Sequence, residues 1–178
     1  MTPFAVGIIR ILSVFTIVAD LGILLFVTGM FSRAFKKSSL FSIVQSYGLW
    51  LGFIVSLTAA LGSYYFSAYI GFAPCDLCWY QRIFLFSQVF IFAVAIYKKD
   101  EHVVDYSLVL SVVGAIIAAY HYYGQMFNQS ALPCGAAAVS CSKREFIEYG
   151  YITIPMMSLT AFATLIVIMI SRKLTTKN

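Results

Sequence analysis

"YITIPMMSLTAFATLIVIMIS", residues 151–171, runs for 21 positions without one charged side chain. Coiled as an α-helix at 1.5 Å per residue, it is about 31 Å long, the thickness of a bilayer's hydrocarbon core. Reading outward from it, four more such runs stand in the chain, at about 4–31, 40–67, 80–97 and 104–125. The first has its most apolar part at "ILSVFTIVADLGILLFVTGMF". Of 178 residues, 61% are hydrophobic and 11% charged, where a soluble domain carries about a quarter charged. The pattern predicts an all-α membrane protein, one bundle with short loops and no separate soluble domain. Arg10 and Asp20 interrupt the first run and no small-residue cleavage site follows it, so it is read as a span of the mature chain rather than a signal peptide.

The net charge of +5 is a matter of sidedness, not of nucleic acid. Arg33, Lys36 and Lys37 fall between spans one and two, Lys98 and Lys99 between spans three and four, and Arg172, Lys173 and Lys177 after span five. The other two loops, about 68–79 and 126–150, hold only Lys143 and Arg144. The positive-inside rule makes the first set cytoplasmic and the other two loops extracytoplasmic. All four cysteines lie in those two loops: Cys75 and Cys78 before span three, Cys134 and Cys141 before span five. Two spans separate the pairs, so they emerge on one face whichever way the bundle is oriented. The exterior is also the side on which disulfides persist.

Within "PCDLCWYQR" (74–82), C-x-x-C is the spacing of dithiol redox centres and of zinc half-sites alike. Cys78 opens a helix, where the dipole favours a thiolate, and Arg82 follows one turn later on the same face. Arg82 either faces a polar site or snorkels to the interface. In "SALPCGAAAVSCSKREF" (130–146), Cys134 and Cys141 suit a disulfide that a partner protein reaches, a loop staple, or half of a four-thiolate zinc site. The C-x6-C spacing lacks the short pairing of common zinc ribbons. In "AAYHYYGQ" (118–125), His121 and Gln125 share a helix face near the interface. Tyr120, Tyr122 and Tyr123 beside them read as an aromatic belt. "GLWLG" places Gly48 and Gly52 at a spacing that permits close helix approach. Asp20, mid-span, has no partner in reach of its own helix: Arg10 is about 15 Å away along it.

C-x-L-C-x-x-Q-R at the start of a span, H-x3-Q at the end of a later one and a second external cysteine pair together resemble the DsbB/BdbC family of membrane thiol:quinone oxidoreductases. The "CG…C" loop followed by "YITIPMMSLTAF" is similar to the shorter BdbC type. The resemblance covers about 40–171. It implies a DsbB-type four-helix catalytic bundle at 40–178, to which residues 1–39 add an N-terminal transmembrane helix and a cytoplasmic loop. It also implies disulfide bond formation at a bacterial-type plasma membrane: a DsbA/BdbD-like thioredoxin-fold oxidase is reoxidised and the electrons pass to ubiquinone or menaquinone. On this reading Cys75–Cys78 and Cys134–Cys141 are redox-active disulfides and no metal is expected. Cys134 is attacked by the partner, Cys141 exchanges with Cys75, Cys78 faces the quinone, and Arg82, His121 and Gln125 bind it. Competing readings are a vitamin K epoxide reductase-like enzyme, a transporter using Arg82 and Asp20, and a non-enzymatic membrane protein with stapled loops.

Overall fold

The computed structural model describes residues 3–32, 35, 37–132 and 139–176. Helices follow one another as α1 (Pro3–Met30), α2 (Ser39–Ser46), α3 (Gly48–Ala68), α4 (Asp76–Lys98), α5 (Val103–Met126) and α6 (Ile154–Thr176). A single 3-10 turn, Gln129–Ala131, follows α5. All but α2 are long and apolar enough to cross a membrane. The protein is therefore an all-α, multi-pass membrane bundle.

The charge-free stretch that opened the reading becomes α6, and α6 is the axis on which every other helix packs. Phe92 from α4 and Phe162, Leu165 and Met169 from α6 are fully buried. Close approach needs small residues. A Cβ on Gly52 would stand 2.7 Å from Phe92 Cζ, and one on Gly114 would collide with the Phe162 ring. Gly48 instead faces α6, with Arg172 Cδ 3.2 Å from its would-be Cβ. Between α4 and α5, Ser107 and Ser111 donate to Gln88 Oε1 at 2.7 and 3.1 Å, a polar tie of the kind that holds helices together in lipid. The large apolar side chains left exposed, such as Leu25, Phe90 and Ile116, face outward as a bilayer solvent allows.

Three expected spans are corrected at their ends. The run 40–67 is not one helix, because the chain breaks at Tyr47 (φ −100°, ψ 11°). The break is stabilised from α6: Arg172 Nη1 donates to the carbonyls of Gln45 and Ser46 at 2.7 and 3.2 Å, and Arg172 Nε donates to Glu101 Oε2 at 2.8 Å. The third span starts at Asp76, four residues before the expected 80, with Cys75 as its extended N-cap. Asp76 in the first turn suits the positive end of the helix dipole. The fifth starts at Ile154 rather than 151. Tyr149 and Gly150 take positive φ (51° and 81°), and Glu148 and Ile152 exchange backbone hydrogen bonds across the resulting turn. Pro155 then sits in the first turn of α6, where its missing N–H costs nothing.

One end of the bundle gathers Phe26 of α1, Phe35 of the connection before α2 and Phe41 of α2 into ring contacts of 5.3–6.1 Å, with Gln45 Nε2 donating to Ser171 O at 3.2 Å. The other end gathers Cys75, Leu77, Leu132 and Cys141 into a buried cluster. The parity argument is met: both described cysteine segments share one face. Cys134 lies outside the described residues, as do Arg33, Lys36 and Lys177.

Candidate functional site

Cys75 caps α4 and is buried, while Cys78 stands in the first turn, half-buried. The Cys75 thiol donates to Cys78 Sγ across 3.3 Å. That bond, then burial, pushes Cys75 up to about 12. The pair is therefore unequal: Cys75 holds its proton and Cys78 receives the hydrogen bond. Cys141 is brought in from the α5–α6 connection and is likewise buried, which pushes its thiol up to about 11.

His121 joins these groups. It is wholly buried near the end of α5. Gln81 Nε2 lies 3.1 Å from its Nδ1 and can only donate, so Nδ1 accepts and the proton sits on Nε2. Nε2–H donates to the Cys141 carbonyl at 3.0 Å and lies 3.8 Å from Cys75 Sγ. Gln125 ties down the same loop: its Nε2 donates to the carbonyls of Cys141 and Lys143 at 3.1 and 3.0 Å. The ligand atoms of Cys75, His121 and Cys141 all lie within 4.8 Å of one another. Cys75 donates to Cys78 and His121 lies against the Cys141 carbonyl, so the two cysteine segments are held within reach of thiol exchange.

Arg82 does not run outward along the interface. It is half-buried and turned onto α3, with Nε donating to Ser63 Oγ at 2.9 Å and Nη2 donating to Ser63 O at 2.7 Å. Its guanidinium carbon lies 5.3 Å from the Trp79 ring centroid, within cation–π range. Asp20, unpartnered along its own helix, accepts from Thr160 Oγ1 of α6 at 2.6 Å.

Two cavities meet at Cys78. The smaller, about 50 Å³, lies under the loop that carries Cys141 and is bordered by Cys75, Cys78, Arg82, His121 and Gln125. The larger, about 420 Å³, opens among α1, α3, α4 and α6. Cys78 and Arg82 border it too, whereas His121 and Gln125 do not. Arg82 is its single charged neighbour among the described residues. The sequence reading put Cys75, Cys78, Cys141, Arg82, His121 and Gln125 in one site, and the fold brings all six together, with His121 and Gln125 on the loop side. It assigned no part to Gln81, although Gln81 stands inside the quoted motif, or to Ser63, which no spacing marks.

The chain is similar in sequence to known proteins. The family model described as "Disulfide bond formation protein DsbB" matches residues 45–171. The chain belongs to the DsbB family. It is 40% identical over 126 residues to "Probable disulfide formation protein C 1" of Bacillus cereus, covering 69% of this chain and 89% of that protein. It is 39% identical over 123 residues to "Disulfide bond formation protein C" of Bacillus subtilis, covering 68% and 88%. "Probable disulfide formation protein" of Coxiella burnetii is 35% identical over 123 residues, 68% of this chain and 84% of its own. No solved structure matches. As a DsbB-family protein, the chain is a membrane oxidoreductase of disulfide bond formation with redox-active cysteines, and its family implies a thiol oxidase as partner. The family match begins at residue 45 and leaves α1 outside it.

Proposed function

We propose that the protein reoxidises a thioredoxin-fold, DsbA-like thiol oxidase on the extracytoplasmic face and delivers the electrons to a membrane quinone. The observation that carries this reading is the position of Cys78, which borders both the loop-side cavity and the larger membrane cavity. The placement of basic loops supports the sidedness. The larger cavity fits a quinone in kind: about 420 Å³ falls within the ~300–1,000 Å³ of small-ligand sites. Its walls are mostly apolar, and among the described residues charge enters at Arg82 alone. Of the five N–H donors of Arg82, Ser63 takes two, leaving others for a ring carbonyl.

In the oxidised enzyme Cys134 and Cys141 share one disulfide and Cys75 and Cys78 the other. A thiolate of the reduced partner attacks Cys134, forming a mixed disulfide and releasing Cys141 as thiolate. The partner's second thiol then displaces Cys134 and leaves the partner oxidised. Cys141 attacks Cys75: the Cys141–Cys75 bond forms, the Cys75–Cys78 bond breaks, and the electron pair leaves on Cys78. The approach is short, since Cys75 Sγ is 3.3 Å from Cys78 Sγ and within 4.8 Å of Cys141 Sγ. His121, held by Gln81, keeps the Cys141 backbone against Cys75, with Nε2 3.0 Å from the Cys141 carbonyl and 3.8 Å from Cys75 Sγ. Bound at Arg82, a quinone supplies a two-electron, two-proton sink. Cys134 attacks Cys141, so that the Cys134–Cys141 bond re-forms and Cys75 leaves with the electron pair of the broken Cys75–Cys141 bond. Cys75 and Cys78 then rejoin as their two electrons and two protons pass to that acceptor. Per cycle two partner thiols become one disulfide and one quinone becomes one quinol.

The test is the purified protein with a reduced thioredoxin-fold oxidase and a quinone. The expected result is loss of two partner thiols per quinol formed. Thiols that persist with quinone present, or that vanish without quinol, contradict the reading.

A further inference from the structure

α1 lies outside the family match, yet it does not stand idle beside the bundle. Among the described residues, α6 is the one long helix along which it packs. Ala5, Ile9, Ser13 and Thr16 are its buried face, and Asp20 is bound to Thr160. From α3 and α4 it stands off, and the space between is the larger cavity. Leu12, Phe15, Thr16 and Ala19 are its contribution to the wall.

The cavity also has a direction. Ser63, Cys78, Arg82 and Ile154 border both cavities and mark its loop end. Thr164 lies ten residues further along α6 and Val55 eight residues back along α3. At 1.5 Å per residue the space reaches about 12–15 Å from the loop end into the bundle. The charged group is at the loop end and α1 closes the side. A ring held at Arg82 therefore leaves its substituent to run inward along α1. An apolar, elongated chain attached to a polar ring is the ligand such a space takes.

We propose that α1 is the tail-binding wall of the acceptor site, selecting quinones that carry an isoprenoid chain over tailless ones; this rests on the quinone reading above. Phe15 and Ala19 set the selection: Phe15 covers the tail from the lipid side and Ala19 leaves room for it. The Asp20–Thr160 bond holds α1 in register with α6 while the tail is seated.

The experiment compares a tailless and an isoprenoid-bearing quinone of the same ring. It measures KM for each in the wild-type protein, in Ala19→Trp, in Phe15→Ala and in the outward-facing control Val18→Trp. A tryptophan at Ala19 fills the tail path, and loss of the Phe15 ring removes apolar contact. Each is expected to raise KM for the tailed quinone roughly tenfold while moving the tailless one less than about twofold. Val18→Trp is expected to leave both unchanged. A tailed-to-tailless KM ratio unmoved in Phe15→Ala overturns the proposal. Phe15 is exposed and its truncation leaves the α1–α6 face intact, so this variant decides the matter if Ala19→Trp fails to fold. A wild-type protein that reduces neither quinone would overturn the quinone reading itself, an outcome distinct from an unmoved ratio.

Discussion

At the scale of single residues, the fold makes chemically identical thiols unequal. Cys75 and Cys141 are pushed up to about 12 and about 11, the first by its hydrogen bond to Cys78 and then burial, the second by burial. Both are protonated at neutral pH in the reduced protein. Thiolates alkylate and thiols do not. At pH 8 Cys141 should therefore react with iodoacetamide about a hundredfold more slowly than a thiol at the ordinary 9.0. Its rate should climb about tenfold per pH unit until it levels near 11. Site-resolved mass spectrometry of the reduced protein reads this directly, and a Cys141 that alkylates at the ordinary rate at pH 8 refutes it. The sign for stability follows from the same shifts. Unfolded thiols ionise first, so the reduced fold loses stability as pH rises from about 9 toward 12. Of these residues, the cysteines and Arg82 were legible from the motif because spacing alone fixes a shared helix face. The parts played by Ser63 and Gln81 were not, since each depends on which helix stands opposite.

At the scale of elements, the bundle depends on glycines that admit aromatic rings. Gly114 of α5 lies beneath Phe162 of α6, with no room for a Cβ. Gly114→Ala is expected to destabilise the detergent-solubilised protein by about 1–3 kcal/mol through overpacking. Gly22→Ala, where a Cβ meets nothing within 4 Å, should leave it unchanged or slightly steadier, since alanine is the better helix former. Thermal unfolding of the two variants side by side checks this, and equal melting temperatures would contradict the packing account. Helix existence was legible from apolar length, because lipid leaves a spanning segment few alternatives to a helix. The ends were not. The break at Tyr47 depends on Arg172 reaching the carbonyls of Gln45 and Ser46 from 126 or more residues away. The late start of α6 depends on a turn with two positive φ values, of which only Gly150 signalled its presence.

At the scale of the whole molecule, five spans put a loop-side thiol cluster and a membrane cavity on either side of one sulfur. Span parity foretold that the cysteine segments share a face, and the cluster of Cys75, Leu77, Leu132 and Cys141 shows it. Parity is insensitive to errors of a few residues at span ends, which is why this conclusion was secure while the ends were not. The cavity could not be read from sequence, because four separate helices form its walls. On the proposed function, every electron pair leaves the thiol side through Cys78. Quinol formation by Cys78→Ser and by Cys134→Ser, each given a reduced thioredoxin-fold partner and separately a small dithiol, tests it most directly. Cys134→Ser should lose turnover with the protein partner yet still reduce quinone with the small dithiol, which needs only the Cys75–Cys78 pair. Cys78→Ser should form no quinol with either donor, and quinol at the wild-type rate from Cys78→Ser would contradict the account.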